Sequence, residues 1–114
     1  MTASFETSDE HAQFHLKPLR VPMRADQVFD EAKDLVVDLS GWSIVRADAE
    51  QRVLVCRRSK SVLSSESTIT ITCQGPEGLP STVVHVRSES SGGLLSRDRA
   101  NVLAFMVPFH RRVC

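Results

Sequence analysis

The chain has 114 residues, 41% apolar and 25% charged, which fits one globular domain and excludes wholesale disorder. Lys+Arg and Asp+Glu are both 14, so the net charge is zero and the positive excess of a dedicated nucleic-acid binder is missing. No apolar run approaches the roughly eighteen residues of a transmembrane helix, and MTASFETSDEHAQFHL lacks the basic start and apolar middle of a secretory signal, so a cytoplasmic location is expected.

Residues 1–12 are rich in Ser, Thr, Asp and Glu and read as a flexible polar tail, which leaves 13–114 as a single domain. Phe14 to Val21 alternates in part and reads as a first strand. Pro18 pushes it to a sheet edge or breaks it, and Pro22 ends it.

Ala25, Val28, Phe29, Ala32, Leu35, Val36 and Leu39 recur at spacings of three and four, the stripe of an amphipathic helix. Asp26, Asp30 and Glu31 lie in its first half, where the helix dipole favours acids, and Gly41 offers a left-handed C-cap. Trp42 to Ala47 and Arg52 to Arg58 then read as a hairpin across a polar turn, and Ser59 to Ser67 as a loop. Thr68 to Cys73 alternates with period two, Gln74 to Pro80 is a turn, and Ser81 to Ser88 is the next strand. Ser90 to Gly93 reads as flexible. Ser96 is a candidate N-cap for a last helix with its stripe on Val102, Phe105, Met106, Phe109 and Val113. Pro108 removes a backbone donor, so this helix is expected to kink or stop near Val107.

The order β-α-β-β-β-β-α predicts a two-layer α+β domain. An antiparallel sheet of about five strands carries a long helix from the N-terminal half and a C-terminal helix on one face. The expected core is Val28, Phe29, Leu35, Val36, Ile44, Val55, Ile69, Ile71, Val84, Val86, Phe105 and Phe109. Alternation sends Arg46, Arg57 and Arg87 away from the helices and Val45, Val84 and Val86 toward them. Trp42, Ile44 and Arg46 share a parity, so either Arg46 ends its strand or a bulge changes the phase. This element order is similar to the helix-grip and TATA-binding-protein-like architectures.

From Gly41-Trp42 onward the wording is specific. A strand rich in Val and Arg follows, then Val84-His85-Val86-Arg87-Ser88-Glu89-Ser90, a Gly, Asp98 and Asn101 before a final apolar helix. Over about residues 41–114 this resembles domain-of-unknown-function family 1499, small bacterial and plastid proteins that carry a Gly-Trp, a Val-Arg-Ser-x-Ser segment and a Gly/Asp/Asn turn. The second glycine of that turn is missing in GLLSRDRAN. The resemblance implies no reaction.

No catalytic, metal or cofactor signature stands out. Cys56, Cys73 and Cys114 are odd in number and widely spaced, which argues against a disulfide scaffold. His11 and His15, and His110 and Cys114, are pairs at helical spacing without further ligands, so no metal and no cofactor are expected. Thr72 or Cys73 falls opposite His85 across a hairpin, but no third group or oxyanion loop completes a nucleophilic site, and an enzyme is not the expected reading. Arg57, Arg58 and Lys60, extended by Arg87, form the densest positive group and the candidate contact for an anionic partner; a solvated sheet face is the favoured account of it, since a two-layer domain leaves one sheet face in water. The reading is a non-enzymatic binding or protein-interaction module that uses an exposed sheet face, with an unknown protein or anionic partner and no nucleic acid. The alternative is a carrier of a small, lipid-like apolar ligand, held in a cavity between helix and sheet.

Overall fold

The computed structural model describes residues 3–59, 66–90 and 97–114. The strands are β1 (Ala3–Glu6), β2 (Leu19–Val21), β3 (Trp42–Asp48), β4 (Val53–Arg58), β5 (Ser67–Gln74) and β6 (Thr82–Ser90). The helices are α1 (Ala25–Asp38) and α2 (Asp98–Val113). The strands make one antiparallel sheet ordered β1-β6-β5-β4-β3, with β2 also paired to β6. Both helices lie on one face and touch each other, α1 against β3, β4 and β5, and α2 against β1, β2, β5 and β6. The two-layer α+β architecture expected from the element order is what the chain adopts, with one strand more than expected.

The extra strand comes from the stretch read as a loose tail. Ala3–Glu6 pairs with Arg87–Ser90, and β2 pairs with Thr82–Val84, so β1 and β2 are two pieces of one interrupted edge strand. Thr7 bridges the interruption, because its N–H donates to the Val86 carbonyl and its hydroxyl accepts from the Val86 N–H. Polar composition hid this strand, since an edge needs only a few inward side chains to be held. Phe14–Leu16, expected as strand, is a single 3-10 turn placed just before Pro18.

Helix α1 buries Ala25, Val28, Phe29, Ala32, Leu35 and Val36, the stripe read from its spacing. It ends at Asp38 rather than at Gly41. Gly41 lies beyond the end with φ 81° and turns the chain into β3, where an added Cβ would meet the Ser59 carbonyl oxygen at 3.1 Å.

On the helix side the sheet presents Leu54, Cys56, Ile69, Ile71, Cys73, Val84 and Val86, all buried. The register shift between Ile44 and Arg46 is a bulge, one of the two resolutions of the conflict in β3. It leaves Val45 exposed rather than facing the helices, and Ile44 at the free edge is 37% exposed, so neither joins the core. Val55 belongs to the open face opposite Thr70; Leu54 takes the inward place.

Helix α2 runs on through Pro108 to Val113, so the proline does not stop it. Phe105, Met106, Phe109 and Val113 are buried on both sides of the proline, so packing of the stripe outweighs the lost hydrogen bond. Ser96, the expected N-cap, lies outside the described residues, and Arg97 occupies the cap position without a side-chain cap bond.

Candidate functional site

The unusual feature of the interior is polar. One cross-strand row on the helix side runs Trp42, Arg58, Ser67, Ser90, and Ser88 lies in the next row beside Cys56 and Ile69. Asp98 and Asn101, one turn apart at the start of α2, drop onto this end of the sheet. Ser67, Ser88, Ser90, Asp98 and Asn101 are all buried. The N-terminal end of a helix favours the negative charge of Asp98.

The groups form a directed chain. Ser88 Oγ donates to Asp98 Oδ1 at 2.7 Å, and Ser90 Oγ donates to Asp98 Oδ2 at 3.0 Å. Asn101 Nδ2 donates to Ser88 Oγ at 3.0 Å, and Arg58 Nη1 donates to Asn101 Oδ1 at 2.7 Å. The Arg58 guanidinium lies over Trp42, 5.7 Å from the ring centroid, and Trp42 leans on Phe105 with centroids 6.4 Å apart. Partial burial, and then the neighbouring Arg97 charge, lower the Arg58 pKa from its ordinary value. A half-buried guanidinium thus rests on an aromatic ring at the polar end of an otherwise apolar layer.

The basic group read from the sequence is divided by this arrangement. Arg57 and Arg87 are on the open face, whereas Arg58 points to the helix side, because adjacent residues of a strand face opposite ways. Lys60 lies outside the described residues. Arg57 pairs with Glu66 at 3.4 Å, and Arg87 pairs with Glu89 and with Glu6 at 3.7 Å. The hydrogen bond that Arg87 donates to Glu89 is the largest influence raising the Arg87 pKa. Arg46 likewise holds Asp48 at 3.0 Å. Among the described residues the open face therefore alternates charge, and Arg58 does not share it with Arg57 and Arg87.

The catalytic and metal pairings also separate. Thr72 stands opposite His85, but Cys73 stands opposite Val84 on the other face, so thiol and imidazole cannot meet. Burial pushes both the Cys56 and the Cys73 thiol up to about 12, the opposite of an activated nucleophile. His11 bonds the Glu6 carbonyl, while His15 Nε2 meets His110 Nδ1 at 3.3 Å across to α2. Among the described residues no three His, Cys, Asp or Glu side chains gather as metal ligands. An open groove of about 380 Å³ lies on the other side of the sheet, where Asp9, Arg20, Gln74, Pro76, Val83 and His85 line it.

Six chains of known structure match this one. An aromatase/cyclase, ZhuI from Streptomyces sp. R1128, aligns over 100% of this chain and 97% of its own, with a TM-score of 0.57 and 12% identity. Ara h 8.0201 aligns over 99% of this chain and 95% of its own, with a TM-score of 0.59 and 9% identity. What is shared at such identity is the fold, a helix-grip: an antiparallel sheet wrapped against its C-terminal helix. No family model and no curated protein matches the chain.

Individual residues of the cluster were legible, but their meeting was not. Ser88-x-Ser90 puts two hydroxyls on one face of a strand, and Asp98 with Asn101 puts two polar groups one turn apart in a helix. Trp42, Ser88, Ser90, Asp98 and Asn101 come together at this one end.

Proposed function

We propose that the chain binds a small, largely apolar ligand between its helices and the gripped face of its sheet. The observation that carries this reading is the helix-grip arrangement itself. Two helices cover a sheet face that is apolar over most of its area, with a polar cluster confined to one end. Such a layer suits a ligand with an apolar body and one polar terminus.

The interior side chains Val28, Val36, Ile69, Ile71, Val84, Phe105 and Phe109 have no more than 2% of their surface accessible. Among these residues a ligand enters by displacing side chains. Met106 is buried in α2 and Met23 packs against the core, and methionine adapts to new neighbours at small cost. Pro108 leaves the Ala104 carbonyl without its helical donor, which eases bending of the last turns of α2 away from the sheet.

The test uses Trp42, the single tryptophan, which lies at the polar end of the layer. Titration with Nile red and then with dodecanol should give saturable binding at one site per chain, a change in tryptophan emission, and mutual competition. Absence of saturable binding by both would overturn the reading.

A further inference from the structure

We propose that Arg58 and Arg97 form an oxyanion site at the polar end of the helix–sheet layer, for the carboxylate or phosphate head of a ligand. The inference rests on the ligand-binding reading and names the chemistry of its polar terminus.

Three placements carry it. Arg58 is directed to the helix side, held on one edge by Asn101 Oδ1 and underneath by Trp42, so its orientation is fixed before any ligand arrives. Both supports are neutral, and among the described residues neither Arg58 nor Arg97 forms an ion pair with a carboxylate. Arg46, Arg57, Arg87 and Arg112 each have an acid within ion-pair distance, whereas Arg20, Arg52, Arg99 and Arg111, like Arg58, have none among the described residues, and of these Arg58 is the one fixed on Trp42 and Asn101. Finally, Arg97 precedes Asp98, which is fixed to Ser90, and Ser90 lies in the same row as Arg58. Arg97 therefore starts at the same end as Arg58, and its charge adds to burial in lowering the Arg58 pKa.

Two neighbouring cations repel each other, and an oxyanion between them turns that repulsion into two attractions. Each guanidinium keeps N–H groups in a planar fork that matches a carboxylate or phosphate. Asp98 is the nearest fixed acid in the chain of bonds, but two of its hydrogen bonds hold it to Ser88 and Ser90. Its role is to position: Asp98 fixes Ser88, Ser88 fixes Asn101, and Asn101 aligns Arg58. The apolar body of a ligand held by its head here would run past Trp42 toward Phe105.

The experiment is calorimetric titration of the full chain at low salt with dodecanoate, dodecanol and inorganic phosphate. It is repeated on R97Q, R58K and, as a control on the open face, R57Q. R97Q alters an exposed side chain and R58K keeps the charge, and circular dichroism checks that each folds. The expected result is dodecanoate binding about tenfold tighter than dodecanol, from charge-assisted hydrogen bonds to the head. R97Q and R58K should bring the acid down to the alcohol and leave dodecanol unchanged, while R57Q keeps the preference. Equal binding of acid and alcohol by the wild type, or a preference that survives both R97Q and R58K, overturns the oxyanion site and leaves the apolar-ligand reading standing. Phosphate binding that R97Q abolishes, with neither dodecyl compound bound, supports the site and identifies free phosphate as its source, while removing the apolar reading. Failure of all three ligands overturns both.

Discussion

Ser88 Oγ donates to Asp98 Oδ1 at 2.7 Å, and this bond ties the last strand of the sheet to the first turn of the last helix. The two residues are ten apart, and both are buried. A buried carboxylate is tolerated only when its oxygens are satisfied, and Ser90 satisfies the second. Replacement of Asp98 by Ala should lower stability by about 3 kcal/mol, because it strands the hydroxyls of Ser88 and Ser90. Replacement of Ser90 by Ala should cost less, about 1–2 kcal/mol. Urea denaturation of the three proteins checks both size and order, and an S90A cost above that of D98A would show that Asp98 does not organise the cluster.

The helix face gives a coarser prediction. Val36 has no accessible surface and Phe29 only 2%, with Lys33 over the Phe29 ring at 5.0 Å. Aspartate at either position puts an unpaired charge into the helix–sheet layer, at a cost on the order of 5 kcal/mol or more, which is most of the stability of a small domain. V36D and F29D should show no cooperative thermal transition by circular dichroism. A near wild-type midpoint in either would mean that the α1 face is wrongly placed.

Thiol reactivity tests burial and its pH linkage together. Cys56 and Cys73 are buried with pKa values pushed up to about 12 from the ordinary 9.0, whereas Cys114 is exposed. A disulfide-exchange reagent at pH 8 should titrate one thiol per native chain and three in denaturant. The folded state keeps the two buried thiols protonated where the unfolded chain ionises them. Their contribution is therefore fully present below pH 9 and is lost as pH rises from about 9 toward 12. Replacing both by Ala should flatten the fall in urea midpoint over that range, and an unchanged slope would place its cause elsewhere.

What the sequence made legible follows physical range. The stripe of α1 repeats within a few turns, so spacing alone named Val28, Phe29, Leu35 and Val36 as core. The alternation of β5 and β6 did the same for Ile69, Ile71, Val84 and Val86. Failures came where partners are distant in sequence. Strand β1 has little pattern of its own and is held by β6, more than eighty residues away at Phe5 and Ser88. In β4 the apolar residues run consecutively, so Val55 and Leu54 could exchange roles without a change in pattern, and only the register against Thr70 and Ile71 decides between them. The polar cluster needed Arg58, Ser88 and Asn101 from three elements, a juxtaposition that no local spacing encodes.

The open face supplies a mild prediction. Arg57 and Arg87 are exposed, their pairs with Glu66, Glu6 and Glu89 are in water, and such pairs contribute little. The double change R57S/R87S should move the urea midpoint by an amount equivalent to less than about 1 kcal/mol and leave ligand binding intact. Addition of R58S should cost more than the first two together, since it removes a half-buried group from Asn101 and Trp42. Equal costs for all three would contradict the division of the basic group between two faces.

Pro108 is the local rule that α2 breaks, and the break should be measurable. A proline inside a helix forfeits the bond to the carbonyl four residues earlier, here Ala104, and crowds that carbonyl as well. In α2 the penalty is outweighed because Phe105 and Phe109, on either side, are fully buried and stacked with ring centroids 4.8 Å apart. Pro108 itself is only partly buried, so a smaller side chain leaves no large cavity. P108A should therefore restore the Ala104 bond and raise stability by about 1–3 kcal/mol, up to the full helix-interior penalty of proline. If the missing bond at Pro108 eases ligand entry, P108A should also slow the association of dodecanol while leaving its dissociation constant within a few-fold, because a stiffer α2 resists displacement in both directions. Urea unfolding and stopped-flow tryptophan fluorescence measure the two effects on one pair of proteins. A destabilised P108A would show that the proline ring is part of the packing, and an unchanged association rate would detach Pro108 from entry.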